Sequence, residues 1–470
     1  MTSLTPADSA FEARLRAVVP EAAFRPLTAR YLEEPRGLFF GQGGLLVAPA
    51  TIEEVAAVIR AANGARVGVV PYGGGTGLVG GQVMGAGPAP VILSLERMDK
   101  IRSIHPSENV LIAEAGAILA DVQQAAEQAD RLFPLSLASE GSARVGGALS
   151  TNAGGVNVLR YGNARELCLG LEAVLPDGTI WHGLRRLRKD NTGYDLRGLM
   201  VGAEGSLGVI TAASLRLFAR PQVQACALME VVSPDAALEF LAMARRDVGE
   251  AISAFELLSR QGLEFLAETG CEARCPLTPL PEWSVLVDLG LGAQADGEGT
   301  LLALYEAGVA AGVLRGGVVA SSQAQRVALW AMREMIPQAN RRIGAISSHD
   351  ISLPLSAIPD FLKRGAQLVA ALGGFRINAF GHLGDGNLHY NVFPPKGASK
   401  ADFASQRAEI AGRIYDLVAD YDGSFSAEHG IGRLKVADLA RLGDPAKLAA
   451  MRAIKTAFDP NGIMNPGVML

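Results

Sequence analysis

Cysteine is scarce in this sequence. Four cysteines, at positions 168, 226, 271 and 275, occur in 470 residues. That number is too small for a disulfide framework and fits a reducing compartment. Cys271 and Cys275 are close enough in the sequence to bind a metal ion or form a bridge, but no second Cys/His pair accompanies them. We therefore expect reduced thiols.

The chain also lacks an excess of positive charge and long apolar runs. It has 43 Lys and Arg against 48 Asp and Glu, so it offers no basic field for nucleic acid or an anionic membrane. No uninterrupted apolar run approaches the ~20 residues that cross a bilayer, and the N-terminus has no secretory apolar core. We expect a cytoplasmic protein with no nucleic-acid partner and no transmembrane segment. Association with a membrane partner stays open.

The order of the predicted elements indicates an α+β protein with more than one domain. A chain of 470 residues is too long for a single core. Up to Arg220 helices and strands alternate, but tight turns such as Asp177-Gly178 join neighbouring strands into a mixed sheet. We predict one domain over residues 1–220 with its core at about 35–220, a second domain over 221–410, and a C-terminal segment over 411–470 that returns to the first domain.

Histidine is scarce as well, and two of the six lie around an Asp-Gly pair in the segment GHLGDGNLHYN, residues 381–391. Asp-Gly between short apolar segments predicts a two-residue hairpin turn. With Asp385 and Gly386 as the turn, His382 pairs with His389, and directly opposed Cβ atoms lie about 4.5–5.5 Å apart. Asn391 returns to the same face. Two imidazoles at that separation can share a first-row metal ion, but a metal site needs a third ligand.

The segment SAEHGIG supplies that third ligand in our interpretation. Two imidazoles together with the Glu428 carboxylate suit Zn²⁺, or alternatively Mn²⁺, and leave positions open for a substrate. His429 follows directly, and a histidine side chain titrates in the range that suits a general base. Histidines are usually structural, but these three lie in glycine-flanked turns where packing does not require imidazole.

Three separate glycine clusters run through the N-terminal half. The first, GGGTGLVGG, follows a predicted strand, and residues 75–80 match G-x-G-x-x-G. A dinucleotide site of that type needs a helix directly after the motif, whereas the glycines and prolines of GAGPAP follow here. Consecutive backbone N–H groups without Cβ atoms still form an anion-binding nest, and a flexible surface loop is the plainer alternative. The two further clusters, residues 139–155 and 201–211, favour a large, flat, phosphate-bearing cofactor.

Taken together, the motifs resemble a known superfamily. The segments PYGGGTGL, GGALSTNAGG, LRKDNTGYDL and GAEGSLGVIT resemble the FAD domain of the vanillyl-alcohol oxidase/p-cresol methylhydroxylase superfamily. GHLGDGNLH, SAEHGIG and DPNGIMNPG resemble its D-lactate and D-2-hydroxyglutarate dehydrogenase branch, which includes glycolate oxidase-like proteins. The likeness runs from about residue 35 to residue 470.

This resemblance implies both a fold and a reaction. The fold is a two-subdomain FAD-binding domain of p-cresol methylhydroxylase type with an α+β substrate, or cap, domain that contains an antiparallel sheet. The reaction is FAD-dependent, metal-assisted oxidation of a D-2-hydroxy acid to the 2-oxo acid by hydride transfer to flavin, most like the 2-hydroxyglutarate enzymes.

Carried over position by position, the resemblance also assigns individual residues. The segment from Tyr72 to Thr76 contains no histidine that could bond the flavin, so FAD is expected to be noncovalent. Arg333, in ALWAMREMI, would hold a substrate carboxylate, and we place Asn391 beside the substrate. The implied pyrophosphate loop is Gly73, Gly74, Gly75, Thr76, Gly77 and Leu78; the flavin is lined by Pro134, Gly141, Ser142, Gly146, Gly147, Asn152, Gly154 and Gly155; the adenine end is held by Gly205, Gly208 and Ile210, with Asn465 returning from the tail.

Two positions depart from the 2-hydroxyglutarate pattern. Those enzymes usually carry a lysine just before the His-Asp pair and a threonine in the arginine segment, where this chain has Ser348 and Pro337. A second carboxylate at the far end of the substrate would therefore lack the partners that this pattern supplies. Burying an unpaired carboxylate costs free energy. Lactate, glycolate, malate or a larger hydroxy acid stay open as substrates.

Other classes of function stay open as well. The chain fits the flavin subunit of a complex that passes electrons to an iron–sulfur partner, although it has no ferredoxin-type Cys-x2-Cys-x2-Cys run of its own. A metallohydrolase whose glycine loops bind a nucleotide is a further alternative. We expect a homodimer, a small anionic 2-hydroxy acid as substrate, and an electron acceptor that the sequence does not identify: an electron-transfer flavoprotein, a quinone or a cytochrome.

Overall fold

The computed structural model describes residues 3–470, which alternate between helices and strands throughout. The helices are α1 (Ser9–Arg16), α2 (Ile52–Ala65), α3 (Leu119–Gln128), α4 (Val145–Ser150), α5 (Val158–Tyr161), α6 (Ala164–Leu167), α7 (Leu196–Met200), α8 (Pro234–Val248), α9 (Arg260–Glu268), α10 (Gly297–Ala310), α11 (Gln323–Ile343), α12 (Ile358–Leu372), α13 (Arg407–Ala419), α14 (Val436–Leu442) and α15 (Pro445–Phe458). Short 3₁₀ helices cover Glu21–Ala23, Ala29–Tyr31, Gly249–Ala251, Leu355–Ala357 and Lys400–Gln406.

The strands form three separate sheets. They are β1 (Phe24–Arg25), β2 (Leu45–Val47), β3 (Val69–Tyr72), β4 (Val91–Ser94), β5 (Ile101–His105), β6 (Val110–Glu114), β7 (Cys168–Val174), β8 (Ile180–Gly183), β9 (Val209–Arg216), β10 (Val223–Val231), β11 (Ile252–Ser259), β12 (Trp283–Leu291), β13 (Leu314–Val319), β14 (Ser347–Ser352), β15 (Arg376–His382) and β16 (Asn387–Phe393).

Helix α2 shows how local sequence sets these elements. Its N-cap, Thr51, accepts a hydrogen bond from the Glu54 backbone N–H at 3.3 Å, and acidic residues occupy the first turn. Gly64 does not end the helix, which continues through it and ends where Arg66 takes the left-handed conformation with a φ of 56°.

The chain divides into two compact units. The first consists of the chain up to Gly155 together with Gly162–Arg220 and Glu428–Leu470. It contains a four-stranded sheet with the order β1-β2-β4-β3, in which β2, β4 and β3 are parallel, and a five-stranded antiparallel sheet with the order β5-β6-β9-β7-β8. Two sheets in one unit correspond to the two subdomains that the resemblance implies, and the mixed α+β class is confirmed.

The second unit consists of Val156–Tyr161 and Pro221–Ala427 and is built on one antiparallel sheet. Its seven strands have the order β13-β10-β12-β11-β15-β16-β14. Helices cover both faces: Phe240 of α8 packs on Phe255 of β11, with ring centroids 5.9 Å apart, and on the opposite face Phe265 of α9 packs on Phe393 of β16 at 4.7 Å. The face beneath α9 and α11 carries the candidate site.

The return to the first unit occurs later than residue 411. Helix α13 packs against α12 and β14 and so stays with the second unit. The returning segment begins at Glu428, and its tail pairs with β3, where the Val69 N–H donates to the Ile463 carbonyl at 2.8 Å.

Two sequence expectations concern features of the whole chain. Within residues 3–470, no helix is both long and apolar enough to cross a membrane. The four cysteines are free thiols, and burial raises the pKa of the Cys168 thiol to about 12.

Candidate active site

The histidine hairpin forms, but its register differs from the prediction. His382 pairs with Asn387 and Phe380 pairs with His389, so the connection is a four-residue loop over residues 383–386 rather than an Asp-Gly turn. A two-residue turn of the expected type needs positive φ at both central residues, and Gly386 has a φ of 87° whereas Asp385 does not adopt that conformation. The Asp385 carboxylate accepts from the Asn387 N–H at 3.1 Å, which closes the loop.

The two imidazoles nevertheless share one face of the sheet. His389 lies two residues beyond the partner of His382, and residues two apart point to the same side of a strand. The ring centroids of His382 and His389 are 5.6 Å apart and the rings are nearly perpendicular. Asn391 continues the same face, as predicted. The prediction of directly opposed histidines was wrong, but the pair of neighbouring imidazoles is present.

A buried carboxylate that we did not predict holds the first imidazole. Glu256 on β11 pairs with His382 in the register of the sheet, and its side chain is fully buried. The distance from Glu256 Oε1 to His382 Nδ1 is 2.6 Å. An ionised carboxylate can only accept, so Nδ1 carries the hydrogen, and Nε2 is the nitrogen that can bind a metal ion. Carboxylates commonly orient metal-binding histidines in this way.

Arg333 bonds to the other oxygen of the same carboxylate. Its Nε donates to Glu256 Oε2 at 2.7 Å, and only 5% of the residue is exposed. Burial by itself would raise the pKa of Glu256, but the charge of Arg333 and the hydrogen bonds from His382 and Arg333 outweigh it and lower that pKa to about 2. Glu256 is therefore ionised throughout the neutral range. Arg333, Glu256 and His382 form one connected polar row beneath α11.

Helix α11 carries Arg333 and places its side chain next to Glu256. Ser322 caps the helix by accepting from the Gln325 N–H, and Leu329, Met332 and Ile336 bury the same side of the helix against the sheet. The guanidinium also lies over the ring of Phe380, 5.3 Å from its centroid. Pro337 stands inside the helix one turn after Arg333.

The second imidazole has a carboxylate neighbour as well. His389 pairs with Asp350 across β14 and β16, and His389 Nδ1 is 3.8 Å from Asp350 Oδ1. The Asn387 side-chain amide donates to the same Asp350 oxygen at 2.9 Å. Ser348 pairs with Asn391 on this face and is exposed. The sheet therefore presents two histidines, each with an acidic neighbour.

In the first unit, the glycine loop lines a cleft of about 490 Å³. This volume lies in the range of cofactor sites. Its walls come from residues 30–35, the loop at the end of β3, and the segment leading into α4. The lining residues are Arg30, Glu33, Glu34, Pro35, Tyr72, Gly73, Gly74, Gly75, Glu96, Ile118, Gly141, Ser142 and Arg144.

The glycines of this loop are required by close backbone approach. A Cβ atom on Gly74 would lie 2.1 Å from the Ser142 carbonyl oxygen, and one on Gly73 would lie 3.3 Å from the Gly147 Cα. Gly75 has a φ of 73°, which side chains with a Cβ rarely adopt. The loop is thus fixed against the α4 segment and is not a flexible surface loop. Gln82 also donates to the Gly77 carbonyl at 2.8 Å.

The other predicted cofactor residues all lie in the first unit, and their roles in binding FAD stay predictions. Asn152 accepts from the Arg165 N–H at 2.9 Å, and Asn465 donates to the carbonyls of Gly81 and Glu204 at 2.9 and 2.8 Å. The remaining members occupy the loop after β3, the loop before α4, α4 itself, the segment after it, the approach to β9, and β9: Thr76, Leu78, Pro134, Gly141, Gly146, Gly154, Gly155, Gly205, Gly208 and Ile210.

Glu428 and His429 open the returning segment of the first unit. Glu428 Oε2 accepts from the Gly155 N–H at 2.8 Å, and His429 Nε2 lies 4.0 Å from Glu428 Oε1. Gly155 belongs to the second glycine cluster. The predicted metal ligand and the predicted base are therefore attached to the unit that contains the cleft.

Comparison with known proteins settles the family. The family described as "FAD binding domain" matches residues 44–183, and "FAD linked oxidases, C-terminal domain" matches residues 220–469. The D-2-hydroxyglutarate dehydrogenase of Xanthomonas citri pv. viticola is 37% identical, over 89% of this chain and 87% of that protein. The mitochondrial enzyme of that name from Bos taurus is also 37% identical, over 92% and 77%.

This chain belongs to the FAD-linked oxidase family. Solved structures show the same fold at low identity: p-cresol methylhydroxylase matches with a TM-score of 0.76 and 17% identity over 99% of this chain and 98% of that one, and alkyldihydroxyacetonephosphate synthase with 0.74 and 17% over 99% and 86%. The resemblance that the sequence motifs carried is confirmed, as are the flavin and the oxidoreductase class. The metallohydrolase alternative loses its support.

The cleft of this FAD-linked oxidase fits the cofactor. Backbone N–H groups exposed by glycine and the guanidinium groups of Arg30 and Arg144 can meet phosphate oxygens, and Glu33 and Glu96 can accept from ribose hydroxyls. The segment from Tyr72 to Thr76 contains no histidine, in keeping with noncovalent binding.

Sequence reasoning missed Glu256 and Asp350. Glu256 had a signal: it is the single charged residue of the strand ISAFELLS, which is buried along its whole length. A carboxylate in such a strand requires a cationic or hydrogen-bonding partner, because an unpaired buried charge is costly. Asp350 stands in SSHDIS and had no comparable signal, since only the register of β14 against β16 places it beside His389.

Proposed function

We propose that this FAD-linked oxidase converts a D-2-hydroxy acid to the 2-oxo acid, and that D-2-hydroxyglutarate is the first substrate to test. The observation that carries the proposal is the Arg333–Glu256–His382 row beside His389. Such a row prepares one imidazole as a metal ligand and puts a cation next to it. A 2-hydroxy acid, with a carboxylate and a hydroxyl on adjacent carbons, matches that pair of features.

His382 and His389 would hold one divalent ion together with Glu428. Zn²⁺ is our first choice because two imidazoles and one carboxylate suit it, and Mn²⁺ is the alternative. The backbone contact of the preceding residue supports Glu428 as the third ligand. The Ala427 N–H donates to the Asp350 carbonyl at 3.2 Å, Asp350 pairs with His389, and Glu428 is the next residue. When bound, the ion would lower the pKa of the substrate hydroxyl.

The remaining residues have roles that follow from their chemistry. His429 would take the hydroxyl proton as general base. Arg333 uses its Nε on Glu256 and retains its terminal nitrogens as donors for the substrate carboxylate. Asn391, on the histidine face, can donate to a substrate oxygen. FAD bound in the cleft would supply the acceptor for the hydride of the α carbon.

Anaerobic flavin bleaching tests the reaction directly. The purified holoenzyme, mixed with D-2-hydroxyglutarate without oxygen, is expected to lose its visible flavin absorbance, and the L enantiomer is expected to leave it unchanged. Metal content measured on the same sample should show one divalent ion per chain. Bleaching by neither enantiomer, nor by D-lactate, glycolate or D-malate, contradicts the proposal.

A separate proposal concerns the side chain that the substrate carries on its α carbon. Curated relatives carry the name D-2-hydroxyglutarate dehydrogenase, which supports a five-carbon diacid. Ser348 is exposed and pairs with Asn391, so this position carries a neutral hydroxyl. A second carboxylate on the substrate would be bound better by a cation there. Comparing kcat/KM for D-2-hydroxyglutarate, D-malate and D-lactate separates these alternatives.

We further propose a cytoplasmic homodimer that passes its electrons to a protein or quinone acceptor. The four scattered cysteines, which form no disulfide framework, support the location. The acceptor is an electron-transfer flavoprotein, a quinone or a cytochrome, alone or in a complex with an iron–sulfur partner. Size-exclusion chromatography with light scattering tests the dimer, and reoxidation of the bleached enzyme by each acceptor class tests the partner.

A further inference from the structure

Glu204 is a buried carboxylate that the proposed reaction does not use. It stands in the third glycine cluster, only 6% of the residue is exposed, and its φ is 51°, which is unusual for a residue with a side chain. Burial raises the pKa of Glu204 although two backbone N–H groups act in the opposite direction. A buried acid in a left-handed conformation is costly to maintain and needs a physical reason.

Both oxygens of this carboxylate hold the loop that follows His429. Glu204 Oε1 accepts from the Ile431 N–H and Oε2 from the Gly432 N–H, each at 2.7 Å. The loop lies so close that a Cβ atom on Gly430 would be 2.6 Å from Glu204 Oε1. Gly430 itself has a φ of 83°. The contact therefore depends on both the carboxylate and the glycine.

The other contacts of the loop attach it to the rim of the glycine-rich first cluster. The Val79 carbonyl accepts from the N–H groups of Arg433 and Leu434 at 2.9 and 3.1 Å. The Arg433 guanidinium donates to the carbonyls of Gly80 and Gly81 at 2.9 and 3.1 Å. Every one of these groups is in the first unit, so Glu204 joins two glycine clusters to the segment that begins with Glu428.

We propose that Glu204 is the positioning residue for Glu428 and His429: its carboxylate fixes residues 430–432 and thereby sets where the metal ligand and the base stand relative to the cofactor cleft. This inference rests on the proposed function of Glu428 and His429. It gives the third glycine cluster a second role, since the resemblance assigns that cluster only to the adenine end of FAD.

Replacing Glu204 by glutamine tests the proposal in the holoenzyme. The amide keeps the shape but presents one acceptor and one donor to two N–H groups, so one hydrogen bond is lost and two donors face each other. We expect FAD to remain bound, the Ile431 and Gly432 amides to exchange hydrogen faster, and flavin reduction by substrate to slow by about 10- to 100-fold. The limiting rate should also lose its dependence on pH, because a displaced base no longer takes the proton. A purely structural defect would scale the rate equally at every pH.

Two further variants keep the outcome decisive. Gly430→Ala adds a Cβ against the same carboxylate and should reproduce the slow reduction even if the Glu204 variant folds poorly. Glu114→Gln alters another buried carboxylate of the first unit, one that accepts from the Lys100 N–H at 3.0 Å, and should leave the rate unchanged.

Wild-type reduction rates in both the Glu204→Gln and Gly430→Ala proteins would overturn the inference, as would loss of FAD from either. His429→Asn measured alongside separates the two proposals. If His429→Asn reduces flavin at the wild-type rate, the base assignment is wrong; if it is slow while neither Glu204→Gln nor Gly430→Ala is slow, only the positioning role is wrong.

Discussion

Glu256→Gln is the change that tests the buried polar row most directly. The carboxylate is fully buried and accepts from Arg333 at 2.7 Å and from His382 at 2.6 Å. Glutamine fills the same space but carries no charge, so the Arg333 guanidinium is left buried without a counter-charge. Breaking a buried pair on one side typically costs about 3–5 kcal/mol. We expect the lower end, about 3 kcal/mol, because the amide retains one acceptor.

That free energy is large enough to see by thermal unfolding. For a unit of this size, 1 kcal/mol corresponds to about 2–4 °C, so the midpoint is expected to fall by about 6–12 °C. The metal affinity should also fall by about 10- to 100-fold, because the His382 ring loses the acceptor that fixes its orientation. Differential scanning calorimetry and titration with Zn²⁺ measure the two effects on the same protein.

A matched control is available in the same unit. Glu268 pairs with Arg376 at 2.7 Å, but both side chains are partly exposed. Such pairs contribute about 0–1 kcal/mol, so Glu268→Gln should shift the midpoint by less than about 4 °C and leave metal binding unchanged. If Glu256→Gln behaves like this control in both measurements, the row neither stabilises the second unit nor prepares a metal ligand, and our account of the site is refuted.

Acid precipitation of the protein is expected to release the yellow colour into the supernatant, because no loop histidine bonds the flavin; colour that stays in the pellet contradicts this. A chelator should abolish bleaching by substrate while the flavin spectrum persists, and the ion that restores bleaching identifies the metal. His429→Asn should keep metal and FAD but reduce flavin about 10²- to 10⁴-fold more slowly, whereas Glu428→Gln should lose metal and activity together; the opposite pattern would exchange their roles. Ser348→Lys should raise kcat/KM for D-2-hydroxyglutarate relative to D-lactate by about 10- to 150-fold, the equivalent of about 1.5–3 kcal/mol for a charge-assisted hydrogen bond, and an unchanged ratio would show that this position does not face the substrate.

The parts of the site that sequence reasoning reached are those with a local signal. Glycine clusters indicate places where two backbone segments approach closely, and Gly73 and Gly74 indeed lie against the α4 segment. Histidines in glycine-flanked turns indicate a functional site, because packing does not require imidazole there. His382 and His389 do share a face of the sheet. The hairpin register failed because Asp-Gly is compatible with both a two-residue turn and a longer loop. The choice depended on the φ of Asp385, which the dipeptide does not determine.

The parts that sequence reasoning missed depend on pairings between distant strands. Glu256 reaches His382 only because β11 and β15 are neighbours, although more than a hundred residues separate them in the sequence. No periodicity within either strand contains that information. The late return of the chain at Glu428 has the same origin, since α13 stays with the second unit through its packing on α12 and β14.

The interrupted course of the first unit also determines when the protein can finish folding. On the ribosome the second unit, from Pro221 to Ala427, emerges almost entirely as one continuous segment and can fold as soon as it is complete. The first unit must wait for the end of the chain, because β3 bonds to Ile463 and Asn465 and because Glu204 bonds to Ile431 and Gly432. Throughout synthesis of the second unit, the glycine-rich loops therefore stay without their closing segment, and the first unit gains these contacts only after the second unit has been made.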